Sequence, residues 1–292
     1  MAFIAWADDG GNVLWAEVGL IGSSSPQLLG DRRTSAGPAL GKNAGNYYMA
    51  WRGWRIVYYE GGPVGPDNHI WWSQLIDDGV SRHWTPQRPL TDRETNASPA
   101  LGSINGKLYM AWKGTEDPFL LWSGLDGDQW SSPQPLPDTH YWTDKGPALG
   151  DHATSVGRRL CMAWKSTYHN NAISWAELTP NGWFDQGTLD DRATSHSPAL
   201  GSVNGQLHMV WKGAESDTTI WWSINDEDSW SPQVPLTDRW TDAQPALGFT
   251  DGARLMAWKA GTQILSSYLD GDEWSPPFVV GDFRPLAGPA LD

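Results

Sequence analysis

A chain of 292 residues with 39% hydrophobic content can bury a core, but 32 glycines and 21 prolines leave little room for long helices. A net charge of −14 disfavours nucleic acid as a partner and insertion into anionic membranes, and the single Cys161 excludes an intrachain disulfide or a thiolate metal cluster. No segment approaches a transmembrane length, and the opening "MAFIAWADDG" lacks the basic flank and apolar run of a signal peptide. The sequence therefore reads as a soluble protein, cytoplasmic or released by a non-classical route.

Taken in chain order, the sequence begins in the middle of a repeat. The tripeptide "PAL" starts at Pro38, Pro99, Pro147, Pro198, Pro245 and Pro289, at intervals of 61, 48, 51, 47 and 44 residues. Residues 289–292 lack the remainder of their unit, whereas "FIAWAD" at the amino terminus is what should follow a "PAL" segment. Joining 289–292 to 1–37 gives a sixth unit of 41 residues. Within a unit, an apolar "PALG" segment (a) leads through Asn-Gly or Asp-Gly, as at Asn105-Gly106, to a second segment (b) such as "LYMAWKG". A polar loop precedes segment c, "IWWS" or "LLWSG". A second turn, as at Asp126-Gly127, opens segment d, as in "QWSSPQPL". Both residues of such turns adopt positive φ, so each pair of segments reads as a β-hairpin.

Four strands repeated every 41 to 61 residues predict an all-β, six-bladed β-propeller of four-stranded antiparallel blades. It closes by pairing the two terminal segments in one blade, which leaves no free radial edge. One propeller domain over 1–292 is expected, with units near 38–98, 99–146, 147–197, 198–244, 245–288, and 289–292 plus 1–37. Aromatic residues fall in three slots per unit. Strand b carries Trp6, Trp51, Trp112, Trp164, Trp211 and Trp258; strand c carries Trp15, Trp72, Trp122, Trp175, Trp222 and Tyr268; strand d carries Trp84, Trp130, Trp183, Trp230 and Trp274. Large flat rings suit the wedge between blades, which widens away from the axis. Cys161 takes a strand-b slot held elsewhere by Tyr48, Tyr109, His208 and Leu255, which favours a packed thiol over a nucleophile.

Polarity gathers on the face that carries the b–c loops and the links between blades. Strand b ends in a cation at Arg52, Lys113, Lys165, Lys212 and Lys259. The links repeat an aspartate, at Asp31, Asp92, Asp138, Asp191 and Asp238, usually followed by arginine and, two residues on, threonine. With the strand-c indoles Trp72, Trp122, Trp175 and Trp222, and the link indoles Trp142 and Trp240, these are the candidate ligand-binding residues. An indole covers the C–H face of a pyranose while charged groups bond paired hydroxyls. The same Asp–Arg pairs also suit blade-to-blade ion pairs or turn caps. One unit adds a long b–c insertion, Gly53 to His69, with Trp54, Tyr58 and Tyr59.

The tryptophan-rich period, "IWWS" in strand c and "DGxxWS" leading into strand d resemble the bacterial and fungal β-propeller lectins, of the Photorhabdus-type and tachylectin-like kinds. The resemblance spans the whole chain and implies sugar sites between blades, since members of these groups bind fucose or N-acetylglucosamine derivatives there. "SGLDGDQW" (Ser123 to Trp130) is also similar to the sialidase Asp box, with the aspartate displaced by one place. No complete sialidase catalytic set accompanies it.

No spacing names metal ligands or a cofactor, and neither a nucleophile elbow nor a phosphate loop occurs. The reading is a multivalent carbohydrate-binding protein with repeated inter-blade sites and glycans as partners, favoured over an enzyme. The sequence leaves the oligomeric state open. Two alternatives remain: a glycan hydrolase or lyase with one site near the 53–69 insertion, and a protein-binding scaffold. Unique features that could serve a single catalytic site are that insertion and the link bearing His140 and Tyr141.

Overall fold

Asn105 and Gly106 sit at φ 50° and 74°, and Asn204 and Gly205 at 51° and 82°, so these dipeptides close tight hairpins as their chemistry requires. The computed structural model describes residues 2–54, 57–59, 62–65, 67–136, 141–226, 229–250, 252–271, 273–282 and 284–292, with the backbone alone at 57–59 and 62–65. Among these residues there is no α-helix. Six small antiparallel sheets form a ring, and each is one blade of a six-bladed β-propeller.

Blade 1 runs Ala39–Asn43, Asn46–Arg52, His69–Asp77 and then Arg82–Trp84 with Arg88–Glu94 as its broken outer strand. Blade 2 repeats this with Ala100–Ile104, Lys107–Lys113, Leu120–Asp126, and Gln129–Trp130 with Gln134–Pro135. Blade 3 comprises Ala148–Thr154, Gly157–Lys165, Ala172–Thr179 and an outer strand in one piece, Gly182–Ala193. Blade 4 is Ala199–Val203, Gln206–Lys212, Thr219–Asp226, and Ser229–Trp230 with Val234–Trp240. Blade 5 is Ala246–Thr250, Ala253–Ala260, Gln263–Asp270, and Glu273–Trp274 with Phe278–Asp282. Blade 6 joins the chain ends. Ala290–Leu291 pairs antiparallel with Ala2–Ala7, with Ile4 opposite Leu291, and Asn12–Gly19 and a broken outer strand, Gly22–Ser23 with Gln27–Arg33, complete it. The long insertion of blade 1 adds a small two-stranded sheet, Val57–Tyr59 with Gly62–Gly65.

The axis explains the "PALG" wording. Leu40, Leu101, Leu149, Leu200, Leu247 and Leu291 are all buried and line the axial cavities on both sides, so they close the channel. The glycine that follows each of the first five leaves room for the next blade. A Cβ at Gly41, Gly102, Gly150, Gly201 or Gly248 would come within 2.6–2.9 Å of the neighbouring leucine Cβ. Any side chain there pushes two blades apart.

Further out, the six strand-b tryptophans are essentially fully buried. Each such ring removes roughly 150–250 Å² from water, so indole burial is a leading apolar contribution to the blade interfaces. Strand-c and strand-d indoles of adjacent blades then meet edge to face. The pairs are Trp15–Trp84, Trp72–Trp130, Trp122–Trp183, Trp175–Trp230 and Trp222–Trp274, with centroids 5.8–6.3 Å apart. One expected slot is corrected. Ala257 pairs with Ser266, as Ala111 pairs with Trp122, so Ser266 holds the strand-c tryptophan position of blade 5 and Tyr268 lies two residues on. Tyr268 stands opposite Leu255, on the rung where Cys161 faces Glu177 in blade 3.

Candidate functional site

The set that the sequence places together at each blade boundary separates into two concentric groups. The cations at the ends of the b strands form the inner group. Lys113 Nζ donates to Asn96 Oδ1 (3.0 Å) and the Gly114 carbonyl (2.8 Å), while Lys212 Nζ reaches Ser195 Oγ and the carbonyls of Gly213, Glu215 and Asp217 at 2.9–3.2 Å. Lys165 bonds both carboxylate oxygens of Asp144 at 2.8 and 2.9 Å, and Lys259 bonds Asp242 at 3.0 Å. Arg52 donates to Asn68 Oδ1 and the Asn96 carbonyl. Each cation thus ties its own b–c loop, or the link beside it, to the inner wall of the polar face. Burial lowers the pKa of Lys113 and Lys212, although nearby carboxylates, Asp144 for the first and Asp217 for the second, oppose it. The partner residues Asn96, Asp144, Ser195 and Asp242 all directly follow the link threonine. That threonine closes its own turn: Thr95 Oγ1 donates to the Ala97 carbonyl and accepts from its N–H.

The link aspartates form the outer group. Asp31, Asp92, Asp191 and Asp238 are exposed at the rim, and each pairs with the arginine that follows it. That arginine is buried against the next blade. Arg32, Arg93, Arg192 and Arg239 lie over the rings of Trp51, Trp112, Trp211 and Trp258, with the guanidinium 5.5–5.9 Å from the ring centroid. Three of them also donate to the strand-c serine hydroxyls Ser123, Ser223 and Ser267, and all four donate to the carbonyl of Thr85, Ser131, Ser231 or Ser275. The arginine is a pin between blades with its carboxylate partner left at the surface. The bond from Arg93 holds Asp92 below the ordinary carboxylate range, against a smaller opposing effect of burial. Asp138 lies outside the described residues, as does His140. At that boundary Tyr141 takes the arginine position and packs on Trp164, centroids 5.2 Å apart.

Two rim cavities show what this arrangement offers. Between blades 1 and 2, a cavity of about 490 Å³ is walled by Asp92, Arg93, Glu94, Glu116, Asp117 and the rings of Trp112 and Phe119. Between blades 6 and 1, one of about 430 Å³ is bordered by Trp15, Leu29, Asp31, Arg32, His83 and Trp84. The first brings together carboxylates, a guanidinium and aromatic carbon, and its b–c loop supplies Glu116 and Asp117. Lys113 does not line it. Among the strand-c indoles, Trp72, Trp122, Trp175 and Trp222 are mostly taken up by edge-to-face packing, with Arg88 over Trp72 at 5.2 Å. Trp142 packs edge to face on Phe119 at 5.9 Å, and its backbone bridges to that residue. Trp240 is 51% exposed and overhangs Gly261 at the boundary of blades 4 and 5. The side chains of Tyr58 and Tyr59 lie outside the described residues.

Sequence reasoning allowed the Asp–Arg pairs a blade-to-blade role but missed the tryptophan beneath each arginine and the serine partners. It also missed the axial mouth of the polar face, a cavity of about 270 Å³ whose lining includes Asp144, Lys145, His196, Asp242 and Lys259. Burial, reinforced by Lys212 and Lys145, pushes the His196 pKa down to about 4. A signal for the pins existed: "DR" recurs in four links, each followed by a blade whose strand b ends in a tryptophan and a cation.

No protein-family model matches the sequence, and no curated protein matches it. Solved structures do resemble it. A fucose-specific lectin from Aleuria aurantia aligns over 97% of this chain and 92% of its own, with 15% identity and a TM-score of 0.69. A point mutant of the Aleuria aurantia lectin in complex with Fucα1-6GlcNAc aligns over 97% and 93%, with 14% identity and a TM-score of 0.68. AofleA from Arthrobotrys oligospora aligns over 99% and 88%, with 12% identity and a TM-score of 0.66. At these identities the likeness establishes a shared six-bladed propeller fold. Among the described residues, no helix is long and apolar enough to cross a membrane.

Proposed function

We propose that the chain is a carbohydrate-binding protein whose glycan sites are the rim grooves between blades, repeated around the ring. The observation that carries this reading is the fourfold recurrence of one set: an exposed aspartate, an arginine behind it and a strand-b indole under the arginine. The sets are Asp31–Arg32–Trp51, Asp92–Arg93–Trp112, Asp191–Arg192–Trp211 and Asp238–Arg239–Trp258. A carboxylate fixed by a guanidinium accepts hydrogen bonds from vicinal hydroxyls; the buried strand-b indole braces the arginine, and ring carbon that reaches the groove, such as Phe119 between blades 1 and 2, covers the C–H face of a sugar ring. The solved structures of the same fold support the reading, because they include the fucose-specific lectin of Aleuria aurantia, also solved in complex with Fucα1-6GlcNAc. Weak sites repeated on one rigid disc bind a glycan-coated surface through effective concentration.

A glycan array with α-methyl fucoside competition, followed by erythrocyte agglutination, tests the proposal. Binding to one glycan class and agglutination are expected. No glycan binding at millimolar ligand would overturn it, and a single site per chain would favour the enzyme reading centred on the 53–69 insertion.

A further inference from the structure

The interface between blades 3 and 4 holds a polar cluster that the repeat does not predict. Gly150, Cys161 and Glu177 lie opposite one another on a single rung of blade 3, and His152 projects from the same sheet face two residues beyond Gly150. The corresponding pairs elsewhere are Tyr48 with Gln74, Tyr109 with Gly124, His208 with Ile224, Leu255 with Tyr268 and, in blade 6, Phe3 with Glu17. Only blade 3 puts a thiol beside a carboxylate at this level. His152, Cys161 and Glu177 are at most 3% exposed. His152 Nε2 lies 2.8 Å from Glu177 Oε1, Cys161 Sγ lies 3.9 Å from the same oxygen, and the three donor atoms fall within 4.8 Å of one another.

Blade 4 supplies an independent observation. Leu207 Cδ1 lies 2.9 Å from the position that a Cβ on Gly150 would take, so the rung Leu207–Asn225 faces the rung Gly150–Cys161–Glu177. Asn225 is 2% exposed, and among the described residues neither its amide oxygen nor its amide nitrogen has a hydrogen-bond partner. The same position holds Leu125 in blade 2 and Leu178 in blade 3, both apolar. An orphaned buried amide costs on the order of 1–3 kcal/mol unless something meets it.

We propose that this interface is a site for one zinc-type divalent metal ion, ligated by His152 Nε2, Cys161 Sγ and Glu177 Oε1, with the Asn225 amide oxygen as the fourth donor. One imidazole, one thiol and one carboxylate form the donor set of zinc rather than of calcium or magnesium, which take oxygen ligands. Ligand atoms around tetrahedral zinc stand roughly 3.3–3.6 Å apart. From separations of 2.8 Å, 3.9 Å and at most 4.8 Å, the cluster reaches that spacing by shifts of roughly 0.3–1.5 Å: His152 and Glu177 open, while Cys161 moves in. Binding releases the Cys161 proton to solvent, and thiolate plus carboxylate balance the ion's two charges. Arg159 and Gln186 both bond Glu177 Oε2, which leaves Oε1 for the ion and fixes the carboxylate as a monodentate ligand. With all four donors buried, the ion enters during folding and joins two blades.

The test is refolding of the full chain with Zn²⁺ or Co²⁺ at micromolar concentration, gel filtration, and elemental analysis. Cys161 is the only cysteine, so a thiolate-to-cobalt charge-transfer band reports ligation at this site alone. One metal per chain, that band, and a thermal midpoint raised by zinc are expected. Cys161→Ala should abolish the band and the midpoint shift. Asn225→Leu, which restores the residue of blades 2 and 3, should fold and bind metal at least tenfold more weakly. Wild-type chain that refolds without retaining metal or showing the band overturns the proposal, as does unchanged binding by Cys161→Ala.

Discussion

Replacing His208 with tyrosine should change how the stability of this protein depends on pH. His208 is 1% exposed and stacks on Trp222, centroids 5.8 Å apart and planes at 13°. The indole N–H of Trp222 donates to His208 Nδ1 (3.0 Å), so the ring carries its proton on Nε2, which faces Gln206 Oε1 at 3.2 Å. Protonating Nδ1 would break the indole bond. Burial, with the nearby Arg254 guanidinium, pushes the pKa down to about 3. Between about pH 3 and 6.5 the unfolded chain therefore binds a proton that the folded chain refuses, and folding stability falls as the pH drops through this window. From pH 6.5 to 4.5 the histidine contribution falls by about 2 kcal/mol. Tyrosine fills the same position in blades 1 and 2, where Tyr48 and Tyr109 pack on Trp72 and Trp122 with centroids 6.4 and 6.1 Å apart, and it does not titrate in this range. Urea unfolding of both proteins at the two pH values, followed by tryptophan fluorescence, gives the comparison. The His208→Tyr variant should gain about 2 kcal/mol relative to wild type at pH 4.5. A difference in stability that stays constant within about 0.5 kcal/mol would show that the imidazole titrates alike in both states and would refute the reasoning.

Arg93→Met keeps most of the stem over Trp112 but removes the donors to Ser123 Oγ and the Ser131 carbonyl; urea unfolding should show a loss of about 2–4 kcal/mol, against less than about 1 kcal/mol for exposed Asp92→Asn. Gly201→Ala puts a Cβ 2.7 Å from Leu247 Cβ and should cost about 1–3 kcal/mol in the same assay, whereas alanine at Gly30, where a Cβ would meet no atom within 4 Å, should leave the blade spacing intact. Trp240→Ala should change stability by less than about 1 kcal/mol, since the ring is half exposed, while glycan binding measured by calorimetry loses the contribution of the groove between blades 4 and 5.

The fold was legible because local chemistry and the repeat agree. Asn-Gly turns at positive φ mark the a–b hairpins of blades 2 and 4, whereas at Asp126-Gly127 and Asp270-Gly271 only the glycine takes positive φ and the aspartate stays in its strand; the incomplete last unit already implies that the chain ends share a blade. The misassigned slot in blade 5 has a physical cause. Its b–c connection is only Gly261-Thr262, and matching by aromatic character selects Tyr268, whereas counting rungs from Trp258 leads through Leu265 to Ser266. The candidate site was legible only in part. Lys212 looks free in the sequence because its partners are mainly backbone carbonyls, which carry no residue signature. Lys165 and Lys259 did have readable partners in Asp144 and Asp242, directly after the link threonine. The arginine pins act across a blade boundary, so their contact with Trp112 or Trp258 emerges only once adjacent units are packed. The cluster in blade 3 was hidden because His152, Cys161 and Glu177 belong to three strands and meet only through register.

A crystal of the chain soaked with the glycan identified by array tests the central claim most directly. Ligand density is expected in the rim grooves beside Asp92–Arg93–Trp112 and at the matching boundaries that begin at Asp31, Asp191 and Asp238. Density confined to the axial mouth or to the 53–69 insertion, with the rim grooves clear at saturating ligand, would contradict it.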